Sequence, residues 1–96
     1  MNTEFLLAAQ AELQEAIAYY NAQLAGLGFE FSDEVAQALE RIKHYPRAWS
    51  PLSARVRRCQ VNRFPNSVIY EARPGLLIIV AVQNNHRKPE GWRARI

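Results

Sequence analysis

The chain has 96 residues, 49% of them hydrophobic and 22% charged, with a single cysteine and a formal net charge of +3. A chain this short fits one domain, residues 1–96, around one small core. Its longest apolar run, Leu76 to Val82, falls far short of the roughly 20 residues that cross a bilayer, and Met1-Asn2-Thr3-Glu4 has no basic n-region. Neither a membrane span nor a secretory signal is expected. Cys59 has no partner for an intrachain disulfide, which points to a reducing, cytoplasmic location. Charge is unevenly placed: residues 1–40 hold seven acids and no Lys or Arg, whereas residues 41–96 hold all 12 Lys and Arg with only Glu71 and Glu90. The basic half suits an anionic partner, either nucleic acid or an acidic protein; mutual attraction of the two halves is the plainer reading.

In chain order, Thr3 to Leu7 reads either as a short strand or as the first turn of a helix. Ala9, Leu13, Ile17, Tyr20 and Leu24 recur at steps of three and four, which predicts a helix over 8–25, ended by Gly26 and Gly28. Phe31, Val35, Leu39 and Ile42 make the stripe of a second helix over 30–44. Acids at its start and Arg41, Lys43 and His44 at its end suit the helix dipole, and Pro46 stops it. Two amphipathic helices with a glycine-containing link read as an antiparallel hairpin. Residues 47–53 read as loop, 55–63 and 67–72 as strands, and 76–83, with its uninterrupted apolar run from Leu76 to Val82, as a strand covered on both faces. Residues 83–96 read as irregular and basic, with Trp92 as an anchor. The expected fold is α+β, in the order β-α-α-β-β-β, with the hairpin on one face of a small antiparallel sheet and arginines on the other.

Several segments, in this order, resemble a known family. They are Glu4-Phe5-Leu6 with Ala11-Glu12-Leu13 and Tyr19-Tyr20; Gly26-Leu27-Gly28, Phe31 and Leu39-Glu40-Arg41-Ile42 closed by Tyr45-Pro46; Arg57-Arg58, Arg63-Phe64-Pro65 and Val68-Ile69-Tyr70; and Ala81-Val82 followed by Arg87-Lys88-Pro89, Trp92 and Arg95. Together they resemble the RelE/ParE toxin superfamily of plasmid-stabilisation systems, over essentially the whole chain. The resemblance implies a cytoplasmic toxin neutralised by a cognate antitoxin encoded beside it, and contact with operator DNA only through that antitoxin. RelE-like members cleave mRNA in the ribosomal A site; ParE-like members inhibit DNA gyrase.

Metal-independent RNA cleavage needs a base, an acid and cations around the phosphorus. The chain offers Arg57, Arg58, Arg63, Arg87, Lys88, Arg93 and Arg95 as cations, and His86, Tyr70 and Glu90 as proton carriers. His86 is the best of these by its ordinary pKa, although a solvated loop histidine is the plainer reading. RelE-like nucleases carry a lysine pair where this chain has Cys59 and Val61, and an arginine opening the next strand where it has Ser67. Their C-terminal arginine falls at Asn85 or Arg87, and a common histidine falls at Asn84. These departures favour ParE-like gyrase inhibition over RNA cleavage, with His86, Arg87 and Arg63 as the catalytic candidates if the chain is a nuclease. Arg57, Arg58, Arg63, Arg87, Lys88, Trp92, Arg93 and Arg95 are the expected target-binding set, with the second strand and the tail converging into one positive site. Tyr19, Tyr20, Phe31 and Val35 are the expected antitoxin contacts. No metal-ligand spacing and no glycine-rich phosphate loop is present, so no cofactor is expected; Cys59 reads as a buried, inert thiol.

Overall fold

The computed structural model describes residues 1–87 and 90–96; Lys88, one of the expected cations, lies outside the described residues. The described elements are β1 (Asn2–Phe5), α1 (Leu7–Gln23), α2 (Leu27–His44), β2 (Ser50–Pro51), β3 (Val56–Gln60), β4 (Asn66–Arg73), β5 (Leu76–Asn84) and a C-terminal 3-10 helix (Gly91–Arg95). The fold is α+β, as expected. The sheet, in the order β1-β5-β4-β3-β2, is mixed and not purely antiparallel, because β1 pairs parallel to β5, with Asn2 opposite Leu76 and Phe5 opposite Ile79. The intervening hairpin of two helices returns the chain to the end from which β1 started, so β5 can lie along β1 in the same direction. The two-residue β2 forms within the expected loop, pairing Ser50 with Arg58.

The helical hairpin is tighter than its glycines suggest. Gly26, at φ +90°, precedes α2 and supplies the left-handed turn. Gly28, expected to help end α1, lies buried within α2 instead. Its amide donates to Asn21 Oδ1 at 2.7 Å, and a Cβ there would collide with the Ile17 carbonyl oxygen. The residue is small because two helices touch at that point. Leu24, expected in the core stripe, is 62% exposed, because α1 ends at Gln23 and the chain turns away.

The sheet is covered on both faces, as the apolar run in β5 predicts. Against the helices lie Cys59, Val61, Val68, Tyr70, Leu77, Ile79 and Val82, with Phe31, Val35, Ala38 and Ile42 from α2. Tyr20, Phe31 and Phe64 meet with ring centroids 4.9–5.2 Å apart, offset and tilted as aromatic quadrupoles prefer. On the opposite face Val56, Ile69, Ile78, Val80, Ala81 and Trp92 form a second cluster. The tail expected to be irregular thus forms a helical turn whose Trp92, 4% exposed, seals that face. The β4–β5 register slips between Ile69, opposite Ala81, and Tyr70, opposite Ile79, which leaves Val80 as the extra residue of a bulge. Ala81 is therefore turned to the outer cluster and not, as strict alternation predicts, to the side of Leu77 and Ile79.

Candidate functional site

The end of the sheet formed by the β3–β4 turn and the last residues of β5 is held by uncharged amides. Gln60 Nε2 donates to the carbonyl oxygens of Phe64 at 2.9 Å and Val61 at 3.0 Å, bracing the turn. Gln60 Oε1 accepts from Asn85 Nδ2 at 2.7 Å, and Asn85 Oδ1 accepts from Ser67 Oγ at 2.6 Å. Asn66 Oδ1 accepts from Tyr20 Oη at 2.6 Å, tying the turn to α1. Ser67 is fully buried. Ser67, where the RelE-like pattern has an arginine, and Asn85, which with Arg87 is one of two positions for its C-terminal arginine, thus pair with each other and carry no charge.

Beside this end a cleft of about 610 Å³ opens between α1 and β5, lined by Glu12, Glu15, Tyr19, Tyr20, His86 and Arg87, among others. His86 and Arg87 follow β5 on an exposed turn, where the Asn84 side chain accepts from the His86 amide at 2.8 Å. Burial, followed by the neighbouring Tyr19, raises the Tyr20 phenol above its ordinary value, so it stays a protonated donor.

The expected convergence of cations occurs only in part: Arg57 and Arg93 lie toward one end of the sheet, whereas Arg63, Arg87 and Arg95 do not join them. Arg63 sits in the β3–β4 turn at φ +71°, its guanidinium reaching Glu30 at 2.7 Å and Glu34 at 3.5 Å. It anchors the turn to α2. Arg95 turns back to α1 and binds Glu12 through both forks, at 2.7 and 2.9 Å. Arg57 lies toward the other end of β3 and donates to the Trp49 carbonyl at 2.8 Å. Arg58 is half-buried on β3 beside β2, opposite Ser50 and Ile69. Arg93 stacks over the Trp92 ring at 4.6 Å, and Trp92 itself is a core residue with little surface to offer a target. The divergence follows from register: the β3–β4 turn and the end of β5 share one end of the sheet, whereas the start of β3 and the β4–β5 turn share the other.

That second end holds a basic cluster the sequence reading missed. Arg47, Arg55, Arg57 and Arg73 line one cleft of about 790 Å³ there, with Tyr70 among its walls. Arg47, Arg55 and Arg73 stand singly beside Pro46, Ala54 and Pro74, so no run of charge marks them; only Arg57 is among the expected target-binding residues. Only the return of the chain after α2 brings them together.

The four residues expected to meet an antitoxin also divide. Phe31 and Val35 are 0% and 2% exposed and belong to the core, since the α2 stripe that contains them faces the sheet. They have no surface for a partner. Tyr20 is half-buried, and Tyr19 is 60% exposed. The apolar side chains that α1, α2 and their link do expose are Leu7, Tyr19, Leu24 and Phe29. No cluster of His, Cys, Asp and Glu among the described residues has the makings of a metal site. Burial pushes the Cys59 thiol up, partly offset by Arg41, which leaves it unreactive in this setting. No helix is long and apolar enough to cross a membrane among the described residues.

Comparison with known proteins places this geometry. A search of curated proteins gave no significant match. Among solved structures, the chain is similar to one described as the chromosomal ParDE toxin–antitoxin system from P. aeruginosa. The TM-score is 0.74 at 12% identity, covering 88% of this chain and 95% of that one, a likeness of fold. The family described as ParE toxin of type II toxin-antitoxin system, parDE, matches residues 4–89. The chain therefore belongs to the ParE toxin family of type II toxin–antitoxin systems.

Proposed function

We propose that the protein is a cytoplasmic toxin that binds and inhibits DNA gyrase and is held inactive by a cognate antitoxin. One observation carries the choice of mechanism. Ser67 and Asn85 are hydrogen-bonded to each other at 2.6 Å and Asn85 to Gln60 at 2.7 Å, so Ser67, where the RelE-like pattern has an arginine, supplies no charge to a phosphodiester and is engaged with another neutral side chain. The cations at this end do not change that: Arg63 is committed to Glu30 and Glu34, Arg41 donates to the Gln60 carbonyl at 2.9 Å, and Arg87 lies two residues after Asn85 on the exposed turn. The antitoxin would cover apolar side chains that the hairpin exposes, Leu7 at the start of α1 and Tyr19, Leu24 and Phe29 toward its link. A helix laid against such a surface is a common mode of peptide recognition.

Ribosome-dependent mRNA cleavage is the second reading, favoured by the joint presence of His86 and Arg87 on the cleft with Tyr20. Purified toxin assayed side by side on gyrase supercoiling and on ribosome-bound mRNA separates the two. Loss of supercoiling with intact mRNA is the expected result. Codon-positioned cuts that vanish in His86→Ala replace the gyrase reading with the nuclease. Co-expression with the adjacent reading frame is expected to restore growth and co-purify both chains.

A further inference from the structure

We infer that the arginine band around the β4–β5 turn end of the sheet is a binding site for the phosphodiester backbone of duplex DNA. The choice of DNA over RNA rests on the gyrase reading; the band itself does not. On the helix side of this end, Arg47, Arg55, Arg57 and Arg73 line the cleft of about 790 Å³. On the other side, Arg55, Arg73 and Arg93 line a second cleft of about 390 Å³. Arg55 and Arg73 belong to both, so five arginines line two adjoining clefts from α2's exit to the C-terminal helix and form one band.

The band is built by fixed contacts. Tyr70 Oη donates to the Pro46 carbonyl at 2.6 Å and holds the segment that carries Arg47 over β4. Ser53 Oγ accepts from the amides of Arg55 at 3.3 Å and Val56 at 3.2 Å, which sets the turn presenting Arg55. The Trp49 carbonyl takes one fork of Arg57, and the Trp92 ring supports Arg93 from below. Two carboxylates oppose the five cations. Glu71 is 5% exposed and held by Arg73 at 2.6 Å, and Glu4 acts on Arg73 more weakly. Arg47 and Arg55 are exposed, and their side chains make no hydrogen bond or ion pair among the described residues.

Planar guanidiniums match phosphate oxygens through paired donors. A protein partner would instead meet a centre depleted of charge and anchored by apolar or aromatic side chains. Here the charge is the centre. Backbone contacts alone carry no sequence information, so the expected ligand is duplex DNA of any sequence.

The test is fluorescence anisotropy of the purified full chain with a labelled duplex of unrelated sequence, titrated between low and physiological salt. With three phosphates contacted, log affinity falls against log salt with a slope of about −3. Arg47→Ala and Arg55→Ala are each expected to weaken binding several-fold and to flatten the slope by about one. Lys43→Ala removes the same charge from the α2 residue paired with Glu40, and is expected to leave the slope unchanged. Circular dichroism confirms that each variant is folded. No binding at low salt overturns the inference, as does equal binding by the Arg47 and Arg55 variants. Preference for a glutamate-rich peptide over the duplex overturns it in favour of a protein partner. Gyrase inhibition without duplex binding sinks this inference alone; duplex binding without gyrase inhibition supports the band and removes the proposed target.

Discussion

Glu12 and Arg95 close the edge of β5 from opposite ends of the chain. β1 stops at Phe5, and beyond it β5 has no neighbouring strand on that side. Glu12 Oε1 accepts from the Val82 amide at 3.1 Å, Arg95 Nη1 donates to the Val80 carbonyl at 3.0 Å, and the two side chains join at 2.7 Å. A salt bridge here replaces the missing strand and satisfies backbone groups that would otherwise meet solvent or a stray edge. The Arg95 and Glu12 side chains are 26% and 18% exposed, so solvent screens the pair only in part.

Removing either partner is therefore expected to cost more than a surface ion pair does. Arg95→Ala leaves a partly buried carboxylate and an unpaired carbonyl, and a loss of about 2 kcal/mol is expected. For a domain of this size that lowers the melting temperature by about 10 °C. Thermal unfolding by circular dichroism measures it, and a shift of only a degree or two would make the pair incidental.

Gly28→Ala tests the contact between the helices. An exposed helical glycine replaced by alanine gains roughly 0.5–1 kcal/mol. At Gly28 the new Cβ collides with the Ile17 carbonyl and lies 2.7 Å from Asn21 Cγ, so backbone has to move. Destabilisation of about 2 kcal/mol is expected instead. Chemical denaturation decides the sign.

Tyr70 makes stability sensitive to high pH. Burial pushes its phenol up to about 12, opposed by Arg57 and aided by Cys59. A raised value means that the folded state favours the protonated form. Its contribution is complete below the ordinary value of 10.0 and is lost as pH rises toward about 12. Over that window the loss is on the order of 2 kcal/mol. Tyr70→Phe is expected to be less stable at neutral pH, lacking the bond to Pro46, but to lose less on raising the pH. Parallel urea curves at pH 8 and pH 11 compare the two; identical pH slopes would contradict this account.

Cys59 should behave as a core residue. It is fully buried, with its thiol raised by desolvation. Native protein is expected to react with a thiol reagent such as dithionitrobenzoate only on the timescale of unfolding, and at once in denaturant. Fast labelling of native protein would show that β3 opens readily.

His86→Ala is expected to leave toxicity in cells within a few-fold of the parent. General acid–base groups contribute about 10²–10⁴-fold where they act, and His86 stands on an exposed turn, with only its backbone amide hydrogen-bonded among the described contacts. Growth curves under graded induction measure this. A hundred-fold loss would assign His86 a chemical role.

Much of this molecule is written in local pattern. The 3.6-residue stripes of α1 and α2, the stop at Pro46 and the doubly covered run of β5 follow from side-chain periodicity, which a single chain segment carries within itself. The order of those segments was enough to suggest the toxin superfamily. Four things were decided only by tertiary structure. Gly28 reads as a helix end, yet it marks a point where two helices touch, and that distance belongs to no single segment. The parallel pairing of β1 with β5 depends on how the hairpin returns the chain. The bulge at Val80 turns Ala81 to the other face, because one extra residue inverts every later side chain. The arginines divide because of how the segments pack. The placing of the helices and turns against the sheet, not sequence proximity, puts Arg63 with Glu30, Arg95 with Glu12, and Arg47 with Arg55, Arg57 and Arg73. Charge is legible in sequence as a sum; whether a cation is spent on an internal partner or offered to a ligand depends on which carboxylate the fold brings within about 4 Å of it.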